Sequence, residues 1–284
     1  MKVAMFVALI AVVMGSFTIQ SSIMARALFH GVVEFVTTLA LAAAYNIGWR
    51  LDNLSVEKAS CRIAPQLMEF DVPLDDFLAT HPFAALPEFS NLQRVSATAV
   101  IFRKMDTENP EILLLQSARW RLLGKGSAKW EMTGGAVDRW PRETLLRAAE
   151  REAWEEAGIK LASIEAVVHY HPFFCWWMLW AGYNMKIMFL ATVAGGDSGL
   201  QDIRLNPAEH QAFCWATRAQ LEQMTAHQSV GAGPLELHGF EAKPSPDQWA
   251  HMQYISESGR TGALRAFAEL DNLKRRRMHS AFLD

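Results

Sequence analysis

Cysteine is scarce in this chain. There are three in 284 residues (Cys61, Cys175 and Cys214), widely spaced and odd in number. No Cys-x-x-Cys pair and no Cys/His ligand spacing occurs, so neither a disulfide framework nor a zinc site is expected. Idle or buried thiols are. An excess of positive charge is also missing: 27 Lys and Arg stand against 30 Asp and Glu, a formal net charge of -3. No global basic field therefore points to nucleic acid, and no nucleic-acid partner is expected. There is no internal repeat and no low-complexity tract. With 51% apolar and 20% charged residues the composition is that of a globular protein, and the length suits one good-sized domain with extensions or two small ones.

Charge nearly vanishes from residues 1–50. Lys2 precedes an apolar run over 3–14, and small and polar residues follow through Ser22. A second apolar stretch covers 27–49, interrupted by His30 and Glu34. The first run is too short to span a bilayer but suits a signal-peptide core, with Ala25 and Ala27 around Arg26 as a poor cleavage site. The second is long enough to span, at the cost of carrying Glu34 into the bilayer. Lys2, Arg26 and Arg50 are too evenly placed to fix a topology. Three readings stay open: a membrane anchor or hairpin with the main domain in the cytosol, a cleaved secretory signal, or a soluble cytoplasmic protein whose true start lies near Met24 or later.

Residues 51–91 carry Pro65, Pro73, Pro82 and Pro87 among short apolar patches and read as an irregular arm lying on the main domain. From residue 95 the texture changes. Residues 95–102 and 112–115 read as strands, followed by a basic loop with Arg119, Arg121, Lys125 and Lys129. A brief strand over 130–133 ends at Gly134-Gly135. Residues 144–157 form a helix, with Leu145, Ala149 and Ala153 as the packing stripe and Arg147, Arg151, Glu152, Glu155 and Glu156 on the other faces. Thr144 suits the N-cap and Gly158 a left-handed stop, while Arg147 at the third helical position excludes a reciprocal capping box. Strands are expected over 166–170, 185–193 and 213–216, and a helix over 218–224. A loop follows over 225–246, and a last helix starts after Thr261 and ends in the basic run 274–277.

The 144–157 helix carries the chemistry. Glu152 and Glu156 are four apart and Glu155 is three beyond Glu152, so three carboxylates neighbour one another. They repel and raise each other's pKa, and only Arg151 stands nearby in sequence. A hard divalent cation, Mg²⁺ or Mn²⁺, relieves that repulsion. Such ions also orient a diphosphate and lower the pKa of a bound water, whose proton a carboxylate then accepts. Gly134-Gly135 lets the main chain approach the ligand with no Cβ in the way. For an isolated helix the pairs Glu143/Arg147 and Arg151/Glu155 would equally suit a solvated surface.

Taken together, these residues resemble the Nudix hydrolase signature: a glycine, five residues, a glutamate, seven residues, then Arg-Glu-aliphatic-x-Glu-Glu-x-Gly-aliphatic. The chain supplies Glu143, seven residues, then Arg151, Glu152, Ala153, Trp154, Glu155, Glu156, Ala157, Gly158 and Ile159. Glu209-His210, Trp215 and the helix after Thr217 look like the family's closing strand and helix. The resemblance spans 92–225 as the hydrolase core and leaves 226–284 as a C-terminal loop and helix extension. Three features depart from the pattern: the extended N-terminal region and the tail beyond about 225 have no counterpart in a minimal Nudix domain, and two changes fall at the motif. The Gly135 to Glu143 spacing is two residues longer, with Val137 where the count puts a glycine, and Thr133 replaces a common proline. We read a small insertion within 139–142, which leaves the helix register intact.

The resemblance implies an α/β/α sandwich with a mixed β-sheet and a catalytic loop-helix. It implies Glu152 and Glu156 as principal metal ligands, Glu155 as third ligand or general base, and Gly135 as a ligand through its carbonyl. Arg151 would orient the glutamates and Glu143 would hold Arg151, with Glu209 as an extra ligand, base or substrate contact. The implied partner is a small-molecule diphosphate. Arg119, Arg121 and Lys129 form either a phosphate-facing loop or an exposed basic one. The aromatic stretch 171–183, with Phe173, Phe174, Trp176, Trp177 and Trp180, is open to four readings: core strand, base-stacking wall, pocket for an isoprenoid diphosphate, or membrane-contacting face. The competing class is a Nudix-like module that senses a nucleotide without cleaving it.

Overall fold

The computed structural model describes residues 60–80, 92–118, 129–139, 142–177, 180–226, 240–245, 247–249 and 252–281. The expectations for residues 1–50, for Arg119, Arg121 and Lys125, and for the aromatic side chains of 173–180 lie outside the described residues. Among the described residues no helix is long and apolar enough to cross a membrane.

The centre is β2 (Leu92–Arg103), a β-branched and alanine-rich segment whose side chains alternate between two cores, as the pleat requires. Val95, Ala97, Ala99 and Ile101 enter one core, and Val100 and Phe102 enter the other. Strand β3 (Glu111–Ser117) divides the same way, sending Leu113 and Leu115 to the first core and Ile112 and Leu114 to the second. Against β2 lie β5 (Gly134–Ala136), antiparallel, and β7 (Trp180–Val193), parallel. Strand β6 (Leu161–Trp177) pairs with β7 as a long antiparallel hairpin. At its edge β6 takes β1 (Arg62–Ile63) in parallel. On the other side, β3 pairs antiparallel with β4 (Trp130–Glu131) and β8 (His210–Thr217). The sheet is mixed, as expected.

The two cores lie on opposite faces of this sheet. Helix α2 (Leu145–Ala157) covers the first, with Leu145, Leu146, Ala148, Ala149, Ala153 and Ala157 fully buried. Four of those six are alanines, so the helix axis comes close to the strands. A second long helix, Glu257–Ala281, covers the other core through Ala263, Ala266, Phe267, Leu270 and Leu273. A Cβ at Gly262 would meet the Met188 side chain, so glycine at this position lets the helix lie close to β7 without moving it. The result is the α/β/α sandwich.

Several boundaries differ from the sequence reading. The last helix begins at Glu257, ahead of Thr261, with Ser256 Oγ accepting the Gly259 N–H. The segment after α3 (Arg218–Gln223) contributes three short strands: β9 (Thr225–Ala226), β10 (Phe240–Glu241) and β11 (Gln253–Tyr254). Residues 60–80 are ordered into β1, a 3-10 turn over Pro65–Phe70, and helix α1 (Leu74–Thr80). Pro65 opens the turn at a position where its missing N–H costs nothing. Leu67, Phe70, Leu74 and Phe77 all enter the first core, with Phe70 edge-on to Phe189 at 5.6 Å.

Because Phe77 is 1% exposed, Phe77→Ala should cost about 3–5 kcal/mol by urea denaturation. A loss below about 1 kcal/mol would mean that this arm is not part of the folded core.

Candidate active site

Helix α2 starts where Thr144 Oγ1 accepts the Arg147 N–H at 3.2 Å and stops at Gly158, whose φ of 68° is left-handed. Both caps stand as the sequence indicates. Its carboxylates do not all take the outer faces, however. Glu152 and Glu156 are buried, 7% and 2% exposed, beneath the Gly134-Gly135 strand. The Gly134 N–H donates to Glu156 Oε2 at 2.8 Å. A Cβ at Gly135 would fall on the Glu152 carboxylate, so the glycine leaves room for that carboxylate and for the main chain beside it. The expectation that the pair merely ends a strand is corrected: Gly134 and Gly135 form β5 themselves, opposite Thr98 and Ala97.

All five N–H donors of Arg151 are used. Nε donates to Glu143 Oε1 at 2.8 Å, and Nη2 to Glu143 Oε2 at 3.1 Å and to the Ala136 carbonyl at 2.9 Å. Nη1 donates to Glu152 Oε1 at 2.7 Å and to Glu155 Oε2 at 2.9 Å. Burial alone would lower the Arg151 pKa. The Glu143 hydrogen bonds and the charges of Glu152, Glu143 and Glu155 outweigh it and raise the value. Glu143 is itself fixed by the Asp138 N–H, 2.9 Å from Oε2.

Glu152 is pushed up to about 7, first by burial and then by the charges of Glu156 and Glu155, with Arg151 opposing. Glu156 is also raised, chiefly by burial, with His210 opposing and Glu131 and Glu209 adding to the shift. His210 Nε2 lies 3.2 Å from Glu156 Oε1. Ligand atoms of Glu156, Glu209 and His210 all fall within 4.8 Å of one another. The site thus sets Glu143, Glu152 and Glu155 on one guanidinium, with Glu131 and Glu209 acting on Glu156 beside them. Glu152 and Glu156 are buried with raised pKa values, and a divalent cation with oxygen ligands fits that concentration of carboxylates.

The structure therefore brings together Glu143, Arg151, Glu152, Glu155, Glu156 and Gly135, with Glu209 beside Glu156. Lys129 is half-buried, and its carbonyl accepts the Ser117 N–H at 2.9 Å. Sequence reasoning missed Glu131, His210 as a partner of Glu156, and the Ala136 carbonyl. His210 adjoins Glu209, and Glu131 precedes the glycine pair by three residues; adjacency to assigned positions was the available signal.

The NUDIX domain family model matches residues 92–235. Solved structures with a similar fold include the MutT NUDIX hydrolase from Burkholderia pseudomallei, 23% identical, covering 50% of this chain and 92% of that one, with a TM-score of 0.35. A C. elegans Ap4A hydrolase binary complex is 26% identical, covering 45% and 82%, with a TM-score of 0.33. The NUDIX domain of Shewanella oneidensis NrtR, complexed with ADP ribose, is 19% identical, covering 54% and 88%, with a TM-score of 0.37. Comparison with curated proteins finds no match.

The Glu152 shift has a consequence for stability. Its folded pKa of about 7 lies above the ordinary 4.5, so the unfolded chain releases this proton first as pH rises. The group's contribution is complete below about pH 4.5 and is lost as pH climbs through about 7. In metal-free protein, Glu152→Gln should gain on the wild type by up to roughly 3 kcal/mol between pH 5 and pH 8 in urea titrations. A difference independent of pH would overturn the assignment. Gly135→Ala should keep the fold by circular dichroism but weaken Mn²⁺ binding in calorimetry by roughly tenfold or more.

Proposed function

The chain belongs to the Nudix family of pyrophosphohydrolases, and on that premise we propose that it cleaves the diphosphate linkage of a nucleoside diphosphate derivative or related organic pyrophosphate with Mg²⁺ or Mn²⁺. One observation carries this reading: three glutamates share one half-buried arginine, and Glu152 among them and Glu156 beside it are buried beneath a glycine strand whose Gly135 leaves room for the Glu152 carboxylate. A carboxylate excess of this kind is unfavourable unless cations complete it.

In this reading Glu152 and Glu156 are the principal metal ligands, joined by the Gly135 carbonyl and by Glu209 from outside the helix. When bound, the divalent ions neutralise phosphoryl charge and supply a water of lowered pKa. Glu155, half-buried at the outer end of the clamp, serves as third ligand or as the base that accepts the water's proton. As the water oxygen bonds to phosphorus, the bridging P–O bond breaks and the second phosphate departs with its electron pair. Arg151 touches and holds the Glu152 and Glu155 carboxylates, while Glu143 holds Arg151. Lys129 with Arg119 and Arg121 would meet the substrate's phosphates.

The test is turnover of the purified protein on nucleoside triphosphates, ADP-ribose, NADH, a dinucleoside polyphosphate and geranyl diphosphate, with Mg²⁺ or Mn²⁺ and with chelator. Metal-dependent product release should fall by about 10²–10⁴ in Glu155→Gln and in Glu152→Gln. A folded protein that binds Mn²⁺ and a nucleotide yet turns over nothing in the panel would replace the enzyme with a sensing module.

A further inference from the structure

The ordered arm at residues 60–80 meets the lengthened loop before the catalytic helix. The Leu74 N–H donates to the Glu143 carbonyl at 3.2 Å, and Pro73 forms a lone antiparallel bridge with Thr144. Thr144 Oγ1 donates to Asp71 Oδ1 at 2.8 Å while accepting the Arg147 N–H. Arg142 Nη2 reaches both Asp76 carboxylate oxygens, at 2.9 and 2.8 Å. Arg139 lies 3.8 Å from Asp75. The arm can serve as a fixed support because Phe70, Leu74 and Phe77 are buried in the core.

These links bear on catalysis through a short chain of contacts. Glu143 closes the lengthened loop and gives Arg151 two of its five hydrogen bonds, and Arg151 in turn holds Glu152 and Glu155. Two extra residues let the end of a loop wander unless something ties it down. The arm ties it at Arg142, at Glu143 and at Thr144. Asp71 also points the Thr144 hydroxyl hydrogen away from α2, leaving the oxygen lone pairs for the helix N–H. The Arg142–Asp76 pair is more than half exposed, 56% and 55%, so it contributes little by itself. Asp71, at 18%, carries more.

We propose that Asp71 and Asp76 are positioning residues for the catalytic site, through which the arm fixes Glu143 and hence the Arg151 clamp. The kinetic part of this inference rests on the hydrolase reading above. The test uses the full chain with Asp71→Ala, Asp76→Ala and the double variant. The double variant should lose about tenfold in kcat with KM within about twofold, since a small misplacement of catalytic groups acts on the transition state. Mn²⁺ affinity by calorimetry should fall several-fold, and hydrogen exchange at residues 142–147 should speed up. Asp71→Asn, which keeps an acceptor oxygen, should behave as wild type. In the Asp71→Ala background, the exchange Asp76→Arg with Arg142→Asp should restore most of what Asp76→Ala adds to the loss.

Unchanged kcat, Mn²⁺ affinity and exchange in the double variant would overturn the proposal. So would a loss that only follows the folded fraction and is not rescued by Asp71→Asn. If the wild type hydrolyses nothing in the panel, the hydrolase reading fails by itself. Mn²⁺ affinity and hydrogen exchange then still decide whether the arm positions the clamp.

Discussion

Arg151 is the group on which the site depends, because its half-buried guanidinium satisfies all five donors on three carboxylates and a main-chain carbonyl. Remove that charge and Glu143, Glu152 and Glu155 face one another across a poorly solvated space, where like charges repel strongly. The guanidinium's planar fork reaches several acceptors at once, which an ammonium cannot do. Even so, one positive charge cannot balance the glutamates around it. In the proposed function, divalent cations would balance that surplus.

The clamp works only because two backbones approach closely. Alanines on α2 bring the helix down on the sheet, Gly135 of β5 leaves room for the Glu152 carboxylate, and the Gly134 N–H donates to Glu156. Burial then does chemical work: it raises Glu152 to about 7 and Glu156 in the same direction. The alternation of β2 and β3 keeps this face separate from the core under the C-terminal helix. The arm lies against the start of α2, where Asp71, Leu74 and Asp76 meet Thr144, Glu143 and Arg142.

Much of this was written locally. The helix over 144–157, its Thr144 cap, its Gly158 stop and the order of its charged residues follow from propensity and period, which act over a few residues. So do the alternating strand near residue 95 and the match of Glu143, Arg151, Glu152, Glu155 and Glu156 to the Nudix pattern. The sandwich was legible through that match. The regular structure within the arm was not, because its prolines read as irregular chain; burial of Phe70 and Phe77 against distant strands orders it.

The sequence by itself determined which carboxylates exist and that they share one helix. Tertiary structure alone decided which of them are buried, and that Glu131, Glu209 and His210 act on Glu156. It also decided that Asp71, 73 residues away, reaches Thr144. The physical reason is range. Helical period fixes neighbours three and four residues apart, whereas desolvation and charge coupling depend on whatever the fold packs into the same few ångströms.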